Sequence, residues 1–257
     1  MVPLVLLTPV GLVSKELFSP LVNDIISQIA IVLAVLAALY FIWKTYPKYN
    51  FSGVFLIERN VVSGFLKGTM IGSSILILCA GIALIIGNVS FSWGEVDLNN
   101  VFGFLMLYIF VSLFEEFFFR SFPLVVLAER YKASISVVIT SLLFGVAHIS
   151  NEGFTLLAML NITLAGVLFA MLVLLKRNIW WAVGIHFGWN FTQGVVLGYK
   201  VSGTNAGGFL QAHPLGVDYL SGGKFGVEGS VICTFVLILT IVYIYIKYPI
   251  EPVAEIS

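Results

Sequence analysis

The sequence is short of charge. Asp, Glu, Lys and Arg make up only 10% of its residues, against roughly 25% in an ordinary soluble domain. The two signs cancel to a net charge of zero, which removes the electrostatic case for a nucleic-acid partner. Cysteine is scarcer still. Cys79 and Cys233 both lie in apolar stretches outside any paired motif and read as small buried hydrophobes. There is no HExxH zinc motif, no internal repeat and no low-complexity tract. The apolar stretch Met1–Val13 lacks the charged start of a signal peptide, so it reads as an interfacial or partly inserted helix.

What fills the chain is apolar surface: 60% of its residues are hydrophobic and the mean hydropathy is +1.05. That composition describes a multi-pass integral membrane protein with lipid bilayer as its surroundings. The apolar runs are continuous and near twenty residues, not alternating segments of ten, which predicts helices and excludes a barrel. The expected fold class is all-α, a polytopic transmembrane helix bundle of seven to eight spans. The spans are expected over 20–43, 68–87, 100–128, 133–149, 154–175, 179–199 and 230–246, with Pro123 ending or kinking the third. An inserted N-terminal helix would be the eighth. The 257 residues suffice for a single membrane domain: N-terminal spans over 1–100, a core over 101–230, and the last span with its tail over 231–257.

Basic residues set the orientation. Lys44, Lys48, Arg59, Lys67, Arg120, Arg130, Lys132, Lys176, Arg177 and Lys247 fall at or after spans one, three, five and seven; Lys15, Lys200 and Lys224 fall on the other side. The positive-inside rule then places the C-terminus in the cytoplasm, at the cell membrane if the source is prokaryotic. The N-terminus is outside with seven spans and inside with eight.

Against this background the stretch SLFEEFFFRS, Ser112 to Ser121, is costly. Each ionised group at a bilayer centre costs about 2.5–3.5 kcal/mol even on the lenient insertion scale. Glu116 and Arg120 stand at i and i+4 on one helix face and can pair. Glu115 points about 100° away and is free to face a cavity. His148 follows Phe144 by one turn in FGVAH, and His186 and Asn190 form a polar stripe in HFGWN. Each motif alone fits helix-to-helix glue as well as chemistry; together they supply a base for water and donors for an oxyanion. His213, in a Gly-rich loop, reads as an ordinary loop residue.

EEFFFR, FGVAH and HFGWN, in that order on separate helices, resemble the three motifs of the CAAX-protease and bacteriocin-processing family. That family includes the type II CAAX prenyl endopeptidases of the Ras-converting enzyme type. GGKFGVEGS is similar to a loop of its prokaryotic members, so the resemblance runs from about Gly103 to Ser230. It implies an intramembrane endopeptidase in which Glu115 and His148 activate water, His186 and Asn190 hold the oxyanion, and Glu116 and Arg120 support the site. It also implies a peptide or protein substrate, prenylated as in the eukaryotic relatives or an unlipidated precursor, with no nucleic acid involved.

No cofactor is expected. If a metal such as zinc is present, its ligands are Glu115, His148 and His186, although Asn190 is a poor zinc ligand. Two other readings stay open: a non-catalytic scaffold or bacteriocin-immunity protein of the same family, and a transporter with Glu115 as proton relay, whose paired repeats are not seen. Depth is unresolved as well. By helix rise His186 lies roughly 10 Å into its span and His148 roughly 22 Å into its own.

Overall fold

The computed structural model describes residues 18–57 and 60–248. The expected helix at Met1–Val13 and most of the tail lie outside the described residues. The described chain forms α1 (Pro20–Thr45), α2 (Val61–Ile85), α3 (Leu98–Arg120), α4 (Phe122–Arg130), α5 (Ala133–Val146), α6 (Leu156–Lys176), α7 (Trp180–Phe191) and α8 (Val231–Lys247). Two short strands, β1 (Val89–Trp93) and β2 (Leu210–Pro214), pair antiparallel with Val89 opposite Pro214. The architecture is an all-α membrane bundle with one small β ribbon. Four rods are long and apolar enough to cross a bilayer: Pro20–Thr45, Val61–Ile85, Leu98–Arg130 taken together, and Leu156–Lys176. Their outer faces leave large apolar side chains uncovered, such as Phe41, Ile85 and Phe102, as lipid-facing surfaces do.

Several expected boundaries move. The second span starts at Val61 instead of Gly68, because Lys67 does not stop a helix: its ammonium reaches out over the Trp181 ring, 5.9 Å from the centroid. The third span is two helices. Ser121, at φ −83° and ψ −111°, breaks the rod, Pro123 sits in the first turn of α4, and α4 continues the rod to Arg130. The fourth expected span, α5, stops at Val146, so His148 lies in the turn beyond it.

The sixth expected span, 179–199, is shorter and changes form in its last part. Helix α7 ends at Phe191, widens into a π-type turn over Thr192–Val196, and leaves the helical path at Gly198, whose φ of +69° suits glycine. The polar stretch after α2, expected as loop, contains β1. Its partner strand lies more than a hundred residues away, beyond the reach of local patterning.

The helix that carries His186 and Asn190 is held by a glycine zipper. Helices α2 and α7 run parallel, and Gly68 and Gly72 of α2 face Gly184 and Gly188 of α7. A Cβ on Gly68 would run into the Trp181 carbonyl, one on Gly72 into Ile185, one on Gly184 into Phe65, and one on Gly188 into Thr69. Backbone thus meets backbone, the small-xxx-small contact that membrane helices use where apolar burial gives no driving force. Its sequence signal is a pair of glycines four residues apart on each helix.

Gly184→Ala should therefore force the two backbones apart at a cost of about 1–3 kcal/mol, read as a lower melting temperature in detergent. Gly81→Ala on the same α2, where a Cβ meets nothing within 4 Å, should leave the melting temperature unchanged or raise it.

Candidate active site

Glu115, Glu116 and Arg120 sit on the second half of α3, all buried. Arg120 Nη1 donates to Glu116 Oε1 at 3.2 Å, with neither side chain exposed. The guanidinium carbon lies 4.0 Å from the Phe144 ring centroid and 5.6 Å from those of Phe119 and Phe169. Gly166 of α6 makes the room, since a Cβ there would stand 2.8 Å from Arg120 Nη2. The cation is thus held by one carboxylate and a cage of aromatic faces.

The same Glu116 oxygen accepts from His186 Nδ1 at 2.9 Å. A carboxylate only accepts, so that nitrogen carries the proton and Nε2 of the neutral ring is bare. His148 is set by the same logic: its Nδ1 donates to the Phe144 carbonyl at 2.8 Å, one turn back, which leaves Nε2 bare as well. Both bare nitrogens face one oxygen. Glu115 Oε2 lies 3.7 Å from His148 Nε2 and 3.8 Å from His186 Nε2, and it has no hydrogen-bond partner in the fold. Three acceptors around a gap too wide for direct bonding make a place for a donor, and water fits it.

These groups line one end of a cavity with Phe144 and Phe169 at its floor; its water-accessible space is about 50 Å³. Asn190, one turn after His186, lines the same cavity with its amide uncommitted to any described residue. The depth mismatch resolves in two steps. Helix α4 extends the rod beyond Arg120, so Glu115 lies fifteen residues, about 22 Å of rise, before Arg130 and level with His148. Helix α7 starts inside the fold, beneath the 50–57 loop, where Ile179 N–H donates to the Phe55 carbonyl and Trp180 Nε1–H to Leu56. His186 therefore needs only two turns to reach the same level.

Residues 97–192 match the model of a family described as Rce1-like: type II CAAX prenyl endopeptidase Rce1-like. The central segment is similar to that family. The matched residues include Glu115, Glu116, Arg120, His148, His186 and Asn190. The chain matches no curated protein and no solved structure.

Beyond the Rce1-like segment, GGKFGVEGS supplies a wall of the cavity. Glu228 Oε1 accepts from Trp189 Nε1 at 3.0 Å, and its Oε2 accepts from the Ser202 N–H at 3.0 Å, the Ser202 hydroxyl at 3.2 Å and Gln193 Nε2 at 3.2 Å. This buried carboxylate ties the irregular 197–209 chain to α7 and its wide turn. Sequence reading passed it over, because a lone Glu in a Gly-rich loop looks solvated. It also passed over Asn151, three residues after His148. Asn151 is 6% exposed, lines the cavity, and has no partner for either amide atom. The pattern HISN held that signal.

As for a metal, ligands on arms of about 2.0–2.1 Å in a tetrahedron stand about 3.3–3.4 Å apart. The 3.7 and 3.8 Å separations at Glu115 are wider. Among the described residues no group of three or more His, Cys, Asp or Glu is arranged as a ligand set.

Removing Glu116 strands a buried guanidinium, so Glu116→Ala should cost about 3–5 kcal/mol of stability. The apolar pair Glu116→Leu with Arg120→Met should recover most of that loss in a thermal melt. Asn151→Ala removes two unpaired buried atoms; it should leave the melting temperature unchanged or higher while lowering kcat/KM.

Proposed function

We propose that this chain is an intramembrane endopeptidase that cleaves a membrane-associated protein or peptide with a water activated by Glu115 and His148. The observation that carries the reading is the convergence of Glu115 Oε2 and two bare imidazole nitrogens on one gap, 3.7 and 3.8 Å across. A water there is oriented by His148 and gives a proton to Glu115 as its oxygen attacks the scissile carbonyl. The carbonyl oxygen becomes an oxyanion. The Asn190 amide donates to it, and so does His186 as an imidazolium, which takes its second proton on Nε2 from solvent before attack and keeps it through the step, with the Glu116 carboxylate behind the ring to balance the charge. Collapse of the tetrahedral intermediate breaks the C–N bond, and the proton held by Glu115 passes to the leaving amine. A carboxylate and an amine result, with no cofactor consumed.

Two carboxylates and one guanidinium divide the work. Glu116 and Arg120 act through His186 as positioning residues, while Glu115 touches the reacting water. The Rce1-like match supports a CAAX-type protease as the class, and a prenylated C-terminus or an unlipidated precursor both belong to it.

In detergent, on a quenched peptide substrate, Glu115→Gln should keep the melting temperature and lower kcat by about 10²–10⁴-fold. Asn190→Ala should lower kcat by about 10²–10³-fold. A strong zinc chelator should leave wild-type turnover unchanged. Loss on chelation that zinc restores would replace the water-activation reading with a metal site. Full activity in Glu115→Gln would sink both.

A further inference from the structure

The cavity is closed at one end of the bundle and opens at the other, and the two ends differ sharply in charge. At the closed end the 50–57 loop covers the start of α7, and Lys48 and Tyr49 bind Glu129 at the end of α4. At the open end the cavity is lined by Phe104 of α3 and by Ser202 and Thr204 of the irregular chain; these are its partly exposed lining residues.

Basic residues crowd the closed end. Lys44 and Lys48 follow α1, Lys67 lies near the start of α2, Arg130 and Lys132 join α4 to α5, Lys176 and Arg177 follow α6, and Lys247 ends α8. Paired contacts put these helix ends together: α2 runs parallel to α7 through the glycine zipper, and α3 runs antiparallel to α7, with Glu116 beside His186 and Tyr108 beside Gly194. The open end has Lys200 and Lys224 against the exposed acids Glu95, Asp97, Glu152 and Asp218.

We propose that the catalytic cavity opens to the extracytoplasmic face of the membrane. Its substrate is then a peptide segment presented on that face, an exported or membrane-anchored chain, and not a prenylated C-terminus displayed in the cytoplasm. The physical ground is the positive-inside rule: Lys and Arg of short turns are retained on the cytoplasmic side. Here every short turn on the closed side carries them, so the mouth faces away from the cytoplasm. The substrate assignment rests on the peptidase reading above; the sidedness does not.

The native thiols make the test clean, since Cys79 and Cys233 are both buried. Asn205→Cys places a thiol at the mouth, and Tyr131→Cys places one at the closed end; both positions are exposed and neither changes a charge. Each variant of the full chain is treated with a membrane-impermeant maleimide in intact cells, then after permeabilisation. Labelling of Asn205→Cys in intact cells, with Tyr131→Cys labelled only after permeabilisation, is expected. The reverse pattern, or equal labelling of both in intact cells, overturns the proposal.

The substrate arm uses the quenched peptide that the detergent-solubilised enzyme cuts. Right-side-out sealed vesicles should cleave it from outside, and inside-out vesicles should lose that activity until detergent is added. Cleavage confined to inside-out vesicles overturns the substrate assignment. If the solubilised enzyme cuts nothing, the peptidase reading fails while the labelling result still decides the sidedness.

Discussion

The buried guanidinium of Arg120 is the constraint around which this bundle is organised. A cation with no exposure in an apolar interior is tolerable only with a counter-charge and polarisable neighbours close by. Glu116 supplies the charge, three phenylalanine rings supply the faces, and Gly166 supplies the space. Those partners come from α3, α5 and α6. Satisfying one side chain therefore fixes the relative height of three helices. It also fixes Glu116 Oε1 where it can accept from His186, and so orients the ring whose other nitrogen faces Glu115.

Helix α7 is restrained twice, by independent physics. Its glycine face lies backbone to backbone against α2, and its polar stripe meets the carboxylates of α3. The first contact sets rotation and depth; the second would be lost with either. Beyond Phe191 the helix would carry its polar groups out of the bundle if it continued. The wide turn and Gly198 stop it, and Glu228 then pins the returning chain with four hydrogen bonds. A buried carboxylate with both oxygens engaged by donors is a fastening, in contrast to Glu115, whose facing oxygen is left open.

Two features make the bundle lopsided. The rod of α3 and α4 bends at Ser121 and extends well past Arg120, and the 50–57 loop folds inward over α7. Both lie on the basic side, so that half of the interior is packed shut. The opposite half is built from loops, a two-stranded ribbon and glycines, and the small cavity that reaches Glu115 lies along α3 on that side.

The sequence by itself determined the class of the molecule. Long uncharged runs force helices because unpaired backbone groups cannot sit in lipid, and three charges inside such a run force partners. The i, i+4 spacings of Glu116 with Arg120 and of His186 with Asn190 were equally legible, being properties of one helix. What local pattern could not carry was anything set by contact between distant segments. The β ribbon, the fastening at Glu228, the unpaired amide of Asn151, the early start of α2 and the early end of α7 all belong to that group. Depth belongs there as well. Rise per residue counts only from a helix's own end, and only the tertiary structure decides how deep each end is buried; that is why Glu115, His148 and His186 meet at one level.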